Sequence, residues 1–433
     1  MSNQIVNVVV TQQVASAPIT IQRTGAIVSQ GATTLSAGST ALITQMSDLT
    51  AILTGAVSIT SIAWATGVVT VTTTTPHGIP SGDTVLATIA GVTPTGYNGT
   101  YEVTSTGTNT FTYALASNPG AVTVYGTVTL EDVSEVVAAV TTYFAQGYAN
   151  SVYILELGVG TPAQGVTALE SYIANPTTRF YSYLLPKTWD TEPTAPTMAK
   201  QYTGTTAQVY FFVTTTLSTY TNWTGIKSVF AMVESPSAPS TELSIASAFY
   251  TTLNYNPSGA NLVTPLEYSY EYGVTAYSTL TNAQQTMLLA AGVNWIGTGA
   301  QGQISNTLIE GGTMMDLNTF NYWYTVDWLS INCQVALSAA IINGSNTPQN
   351  PMSYNQAGIN SLQKVAQAVV NNGIAFGLIL SPATVNAVSF VTYTAENPSD
   401  YAAGIYRGLS CTFTPQRGFS SITIYLTASN IPV

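Results

Sequence analysis

Apolar and polar positions change their period several times along the chain. The first run, Ile5-Val6-Asn7-Val8-Val9-Val10, is β-branched and has no helical spacing, which predicts a strand. Pro18 interrupts it and Ile19-Thr20-Ile21 resumes. Such a leading strand is an exposed edge unless something pairs with it. It is either the first strand of the chain's own sheet or an arm that adds to a neighbour's sheet. Residues 41–54 predict a short strand and a helical turn. Residues 57–129 are almost purely β. Short strands near 68–73, 84–89, 99–104, 110–113 and 122–128 alternate with turns at Pro76-His77-Gly78 and Ser81-Gly82-Asp83. That rhythm predicts a small sandwich or barrel.

The period then switches to 3.6. Val133, Val136, Val137, Val140 and Phe144 share one helical face, with Glu131, Asp132 and Glu135 in the first turns, where carboxylates suit the helix dipole. Gly147 stops this helix. A buried strand follows at 151–157, a helix at 164–173 and a strand at 179–185. Further strands are expected at 208–214 and 228–234, and a short helix at 283–291. A long aromatic helix is expected over 316–342, and an amphipathic one over 355–371 that Gly373 ends. The last strand is Ile422-Thr423-Ile424-Tyr425-Leu426. The alternation of strand and helix indicates an α/β or α+β host, into which the all-β block is inserted at a loop tip.

Composition sharpens the picture. Of 433 residues 45% are hydrophobic and only 6% charged, so the surface is covered by Thr, Ser, Asn, Gln, Tyr and Gly; Thr alone contributes 69. Eight basic residues and a net charge of −11 cannot form a phosphate-neutralising stripe, which excludes nucleic-acid binding. Sparse charge with high apolar content excludes disorder. No apolar run approaches a membrane span of about 20 residues. The Met1–Ile5 start has no basic n-region, so a secretory signal is not expected. Cys333 and Cys411 fit buried thiols at least as well as a disulfide. Interface cores are poor in Lys, Glu and Asp and rich in aromatics, and the 26 Tyr match that. An assembly subunit is therefore favoured over a freely diffusing monomer.

Candidate chemistry is thin. His77, the single histidine, lies in a Pro-His-Gly turn and reads as a turn residue. There is no G-x-S-x-G elbow, H-E-x-x-H, CxxC or P-loop. Asp316 and Asp327, on one helix, would stand about 16 Å apart by helix rise. Glycosidase acid pairs stand about 5–9.5 Å apart. Phe320, Tyr322, Trp323, Tyr324 and Trp328 at helical spacing read as core rather than a sugar groove. Gly297-Thr298-Gly299-Ala300-Gln301-Gly302 resembles a dinucleotide fingerprint only superficially and reads as a loop. No catalytic residue, cofactor or metal is expected.

Three stretches resemble the tail sheath proteins of contractile-tailed (myovirus-type) phages. They are VVAAVTTYFAQGYANSVYILEL at 136–157, MDLNTFNYWYTVDWL at 315–329, and 358–373 followed by RGLSCTFTPQRGFSSITIYLTASNIPV at 407–433. Their order along the chain carries the resemblance. Within the insert, Thr75-Pro76-His77-Gly78-Ile79-Pro80-Ser81-Gly82-Asp83, Gly96-Tyr97-Asn98-Gly99-Thr100-Tyr101 and Phe111-Thr112-Tyr113 are similar to a small β module spliced into many phage virion proteins. The insert comes earlier in the chain than in better-known sheaths.

The resemblance implies a multi-domain α+β or α/β sheath fold with a mixed central sheet and terminal β-arms. The divisions are 1–30 (arm and first strands), 31–56 and 130–345 (core), 57–129 (insert), 346–419 (C-terminal domain) and 420–433 (arm). It implies a non-enzymatic virion subunit, assembled in the host cytoplasm, that stacks as hexameric rings around a tail tube and contracts. Its partners would be further copies of itself, the tube protein, and baseplate and terminator proteins, with no nucleic acid and no membrane. The arm residues would be Ile5, Val6, Val8, Val9, Val10, Ile422, Ile424 and Leu426. Gln363 and Lys364 would face either the tube or plain solvent. Other readings are a tube or decoration protein, or a secreted glycan-binding adhesin.

Overall fold

The computed structural model describes residues 21–203, 209–299, 306–347 and 351–420. Both expected arm strands, around Ile5–Val10 and Ile422–Leu426, lie outside the described residues. The first strand among the described residues, β1 (Gly25–Ser29), is buried along its whole length. It is followed by β2 (Thr40–Ile43) and the short helix α1 (Met46–Thr50).

The insert comes next: β3 (Val57–Ala65), β4 (Val68–Thr73), β5 (Thr84–Ala90), β6 (Gly99–Gly107), β7 (Thr110–Ala114) and β8 (Thr127–Leu130). These close into a barrel in the order β3-β4-β7-β6-β5-β8, which resolves the sandwich-or-barrel alternative. Strict alternation fills its interior with Val69, Val71, Ala87, Ile89, Val103, Phe111 and Tyr113. His77 closes one end: its Nε2 lies 2.9 Å from the Gly107 carbonyl, its Nδ1 accepts the Ile79 N–H, and its ring stands edge-on to Phe111. It is a structural turn residue.

The host unit continues with α2 (Glu131–Ala145), β9 (Val152–Glu156), α3 (Pro162–Ala174), β10 (Ser182–Leu184), α4 (Thr194–Lys200), β11 (Tyr210–Thr215), β12 (Val229–Val233), α5 (Ile245–Leu253), α6 (Asn282–Ala291), β13 (Asn294–Thr298) and β14 (Thr307–Glu310). The main sheet has the order β14-β13-β12-β11-β10-β1-β9-β2. Its six inner strands are parallel, and β14 and β2 are antiparallel edges. This is a mixed sheet of doubly wound type. Burial on both faces explains why β12 reads as a continuous apolar run. Ile27, Ile154, Leu184, Phe212 and Phe230 pack toward α2, α5 and α7 (Phe320–Ser345). Val28, Leu155, Tyr183, Phe211 and Val213 pack toward α3, α4 and α6.

Gly297 belongs to β13, and the Glu310 side chain packs where its Cβ would be. The glycine-rich stretch therefore starts in a strand rather than wholly in a loop. Asp316 precedes α7, whose N-cap is Thr319, so Asp316 and Asp327 are not on one helix as expected. Phe320, Tyr324 and Trp328 are core, while Trp323 is half-buried and donates its Nε1–H to Asp316 at 2.9 Å. The aromatic run is thus mostly core. Contrary to the sequence expectation, α7 is apolar and long enough to cross a membrane. Its first half is nonetheless fixed in the core, where Asp327 accepts from the Tyr181 and Tyr210 hydroxyls at 2.8 and 2.7 Å.

The C-terminal part contains α8 (Gln356–Ala375), β15 (Thr384–Ala387), α9 (Phe390–Glu396), α10 (Pro398–Ala402) and β16 (Leu409–Thr412). Gly373 does not end α8. It lies inside the helix, where Leu329 and Ile379 approach to 3.4 and 3.5 Å of a Cβ position.

Candidate functional site: a filled crevice and an open strand edge

Doubly wound sheets bind ligands beyond the carboxyl ends of their strands, where the strand order reverses. Here that place lies beyond β1, between β9 and β10. The loop after β1 turns through Gly31 at φ +101°, and a Cβ there would strike Val159. This loop forms a ring of donors, and the ring is occupied by the chain's own Glu156. Its Oε1 accepts the N–H groups of Gly31 and Gly158 at 2.8 and 2.7 Å. Its Oε2 accepts Ser29 Oγ at 2.7 Å and the N–H and hydroxyl of Thr33 at 3.1 and 2.8 Å. Nests of this kind hold phosphate in nucleotide-binding folds. An internal carboxylate takes that place here. Gln30 fills the adjoining space, accepting from Trp189 Nε1 and donating to Thr161 O. The crevice is thus an internal joint tying β1, β9 and α3 together.

A cleft of about 350 Å³ remains between this joint and the barrel, lined by Glu102, Glu131, Asp132 and Glu135 among others. Burial pushes Asp132 up to about 7, against the pull of the Gln30, Ser29 and Ala32 donors. Burial also pushes Glu135 up to about 8, with Asp132 adding to the shift. Thr88 Oγ1 donates to Glu131 and links the barrel to the first turn of α2. Among the described residues no group of His, Cys, Asp and Glu has the arrangement of a metal site.

The second feature is the two-stranded sheet of β15 and β16. Gln363 Nε2 donates to the Val385 carbonyl at 2.8 Å, and the Val385 N–H donates to Gln367 Oε1 at 2.8 Å. These two α8 side chains therefore close the outer edge of β15. Val385 lies opposite Cys411 and spends its backbone groups on α8. By the alternation of an antiparallel ladder, Leu409 and Cys411 must then turn theirs to the far edge of β16. No hydrogen bond among the described residues occupies that edge. It is short, uncharged and open.

The second half of α7 lies in the same region. Val335, Ile341 and Ile342 are 45%, 47% and 61% exposed, and no charged residue follows Asp327 in the helix. Cys333 and Cys411 are free and half-buried. Lys364 is exposed on α8, whereas its neighbour Gln363 is turned onto β15. Sequence reasoning missed Gln367, Leu409, Cys411 and Glu156. Gln363 and Gln367, one helical turn apart on an otherwise apolar face, were the available signal.

No protein-family profile matches the chain, and no curated protein matches it by sequence. Among solved structures it is similar to a sheath tail protein from Listeria innocua. The two share 11% identity with a TM-score of 0.42, and the match covers 84% of this chain and 88% of that one.

Proposed function

We propose that this chain is the structural subunit of a contractile phage tail sheath. The observation that carries the reading is the open β16 edge. One side of the β15–β16 sheet is closed from within by Gln363 and Gln367, and no hydrogen bond among the described residues occupies the other. A donated strand from a neighbour completes such a sheet through backbone hydrogen bonds. The alternating, uncharged stretches at Ile5, Val6, Val8, Val9, Val10 and at Ile422, Ile424, Leu426 are suited to be that strand. Arms tied this way keep subunits connected while hexameric rings slide and widen around a tube.

The low surface charge and the uncovered apolar half of α7 also suit burial between copies. The carboxylate-filled crevice supports a mechanical rather than a catalytic role. In this reading the chain resides in the virion tail and is assembled in the host cytoplasm. It meets the tail tube, baseplate and terminator proteins, and Lys364 is a candidate tube-facing group. Free energy for contraction is stored in alternative packings of the subunits.

Negative-stain electron microscopy of the concentrated protein tests this. Wide hollow cylinders with a helical surface are expected. Narrow tubes would instead indicate a tube protein. Globular particles that bind glycans would indicate an adhesin.

A further inference from the structure

The segment 267–272 runs beside β14 as an additional edge of the main sheet. Tyr268 N–H donates to Ile309 O, Ile309 N–H to Ser269 O, and Glu271 N–H to Thr307 O. These bonds turn the N–H and C=O of Tyr270 outward, and no hydrogen bond among the described residues takes them. At Tyr272 the outward groups are already held by the Gln146 side chain. Among the described residues the outward groups of Tyr270 are open, within an exposed stripe of Tyr268, Tyr270 and Tyr272.

The described chain ends on this stripe. Tyr268, bent to φ +65°, donates its hydroxyl to Ser420 O at 2.6 Å, and Ser420 Oγ donates to Glu267 at 2.7 Å. Phe419, beside it, is 81% exposed. Thirteen residues follow, beginning Ser421-Ile422-Thr423-Ile424.

We propose that in the free subunit the start of this C-terminal segment docks on its own Tyr270 edge. Two residues of extended chain reach about 7 Å. From Ser420, which meets Tyr268 at its hydroxyl, that step leads Ile422 toward Tyr270. The Tyr270 N–H and C=O then bond the segment's backbone, and Ile422 and Ile424 lie against Tyr270 and Tyr272 as β-branched–aromatic neighbours. The occupant is the chain's own segment because Ser420 anchors it there. A short tether gives an effective concentration on the order of millimolar, which a second copy does not match in dilute solution. The docking is short because Gln146 blocks its extension, so it is readily displaced. Under the sheath reading, on which this last point rests, the docked segment is an arm withheld until a neighbour offers a longer edge.

The test is hydrogen–deuterium exchange on the dilute, monomeric full chain against a chain ending at Ser420. The Tyr270 amide is expected to exchange about tenfold more slowly in the full chain. Equal exchange overturns the proposal. A second measurement places a photo-crosslinker at Ile424 (Ile424→p-benzoylphenylalanine). Crosslinks to 266–274 within one chain are expected. Crosslinks that join two chains at the same dilution, or that fall elsewhere, overturn it. Both readouts use monomers, so their failure is separable from a failure to form cylinders.

Discussion

Replacing Glu156 by Ala removes the acceptor of five donors: Ser29 Oγ, which keeps Asp132 as a second acceptor, Thr33 Oγ1 and the N–H groups of Gly31, Thr33 and Gly158. Glu156 is 1% exposed, so water does not readily replace it. Each unpaired buried donor costs about 1–3 kcal/mol, but the two hydroxyls can rotate toward other acceptors. The three backbone N–H groups cannot turn away, and we expect a loss of about 3 kcal/mol or more. Glu156→Gln keeps the shape but turns an amide NH2 against at least one backbone N–H, and should cost about 1–3 kcal/mol. Urea unfolding followed by tryptophan fluorescence measures both, since Trp189 is bonded to Gln30 next to the joint. An Ala variant within about 1 kcal/mol of the parent would refute the account of the crevice as a structural joint.

Stability should fall as pH rises from about 5 to 8. Asp132, Glu135 and Glu271 have carboxyls raised to about 7, 8 and 8, so the folded state keeps protons that the unfolded chain loses near pH 4. The slope is at most about 1.4 kcal/mol per pH unit per group, less for Asp132 and Glu135 because they line an open cleft. Urea midpoints at pH 5 and 8 check this: Glu135→Gln should flatten the decline, and a midpoint that rises with pH would contradict it. Asp327→Ala should cost about 2–4 kcal/mol by stranding the Tyr181 and Tyr210 hydroxyls, and near-neutral thermal unfolding would contradict that packing. Deleting residues 1–12 or 420–433 should leave a folded subunit that forms no long cylinders in electron micrographs; normal cylinders would remove that arm from the mesh. Joining residue 56 to residue 130 by a short linker should leave the parallel sheet folded by circular dichroism, and an unfolded product would make the barrel part of the core.

The central sheet was legible because parallel strands buried on both faces leave unbroken apolar runs, as at 151–157 and 228–234. The insert was legible because its turns carry Gly and Pro at short intervals. The helix through Gly373 was misjudged because a glycine that admits Leu329 and Ile379 looks the same in sequence as one that stops a helix. The filled crevice was not legible, since three of the five donors to Glu156 are backbone N–H groups, which every sequence possesses. The β15–β16 edge escaped notice for a related reason. Its strands are four residues each, and what closes one side comes from Gln363 and Gln367, about twenty residues away.

One junction has a mechanical consequence. The last barrel strand, β8, ends at Leu130, and α2 begins at Glu131 with no intervening residue. A strand of the barrel and a helix packed across the central sheet are therefore joined with no linker between them, and the Thr88–Glu131 bond braces the joint. A load applied to the barrel is delivered as torque on α2 rather than dissipated in a hinge. Lengthening this junction by a few glycines should uncouple the two bodies without altering either one's fold.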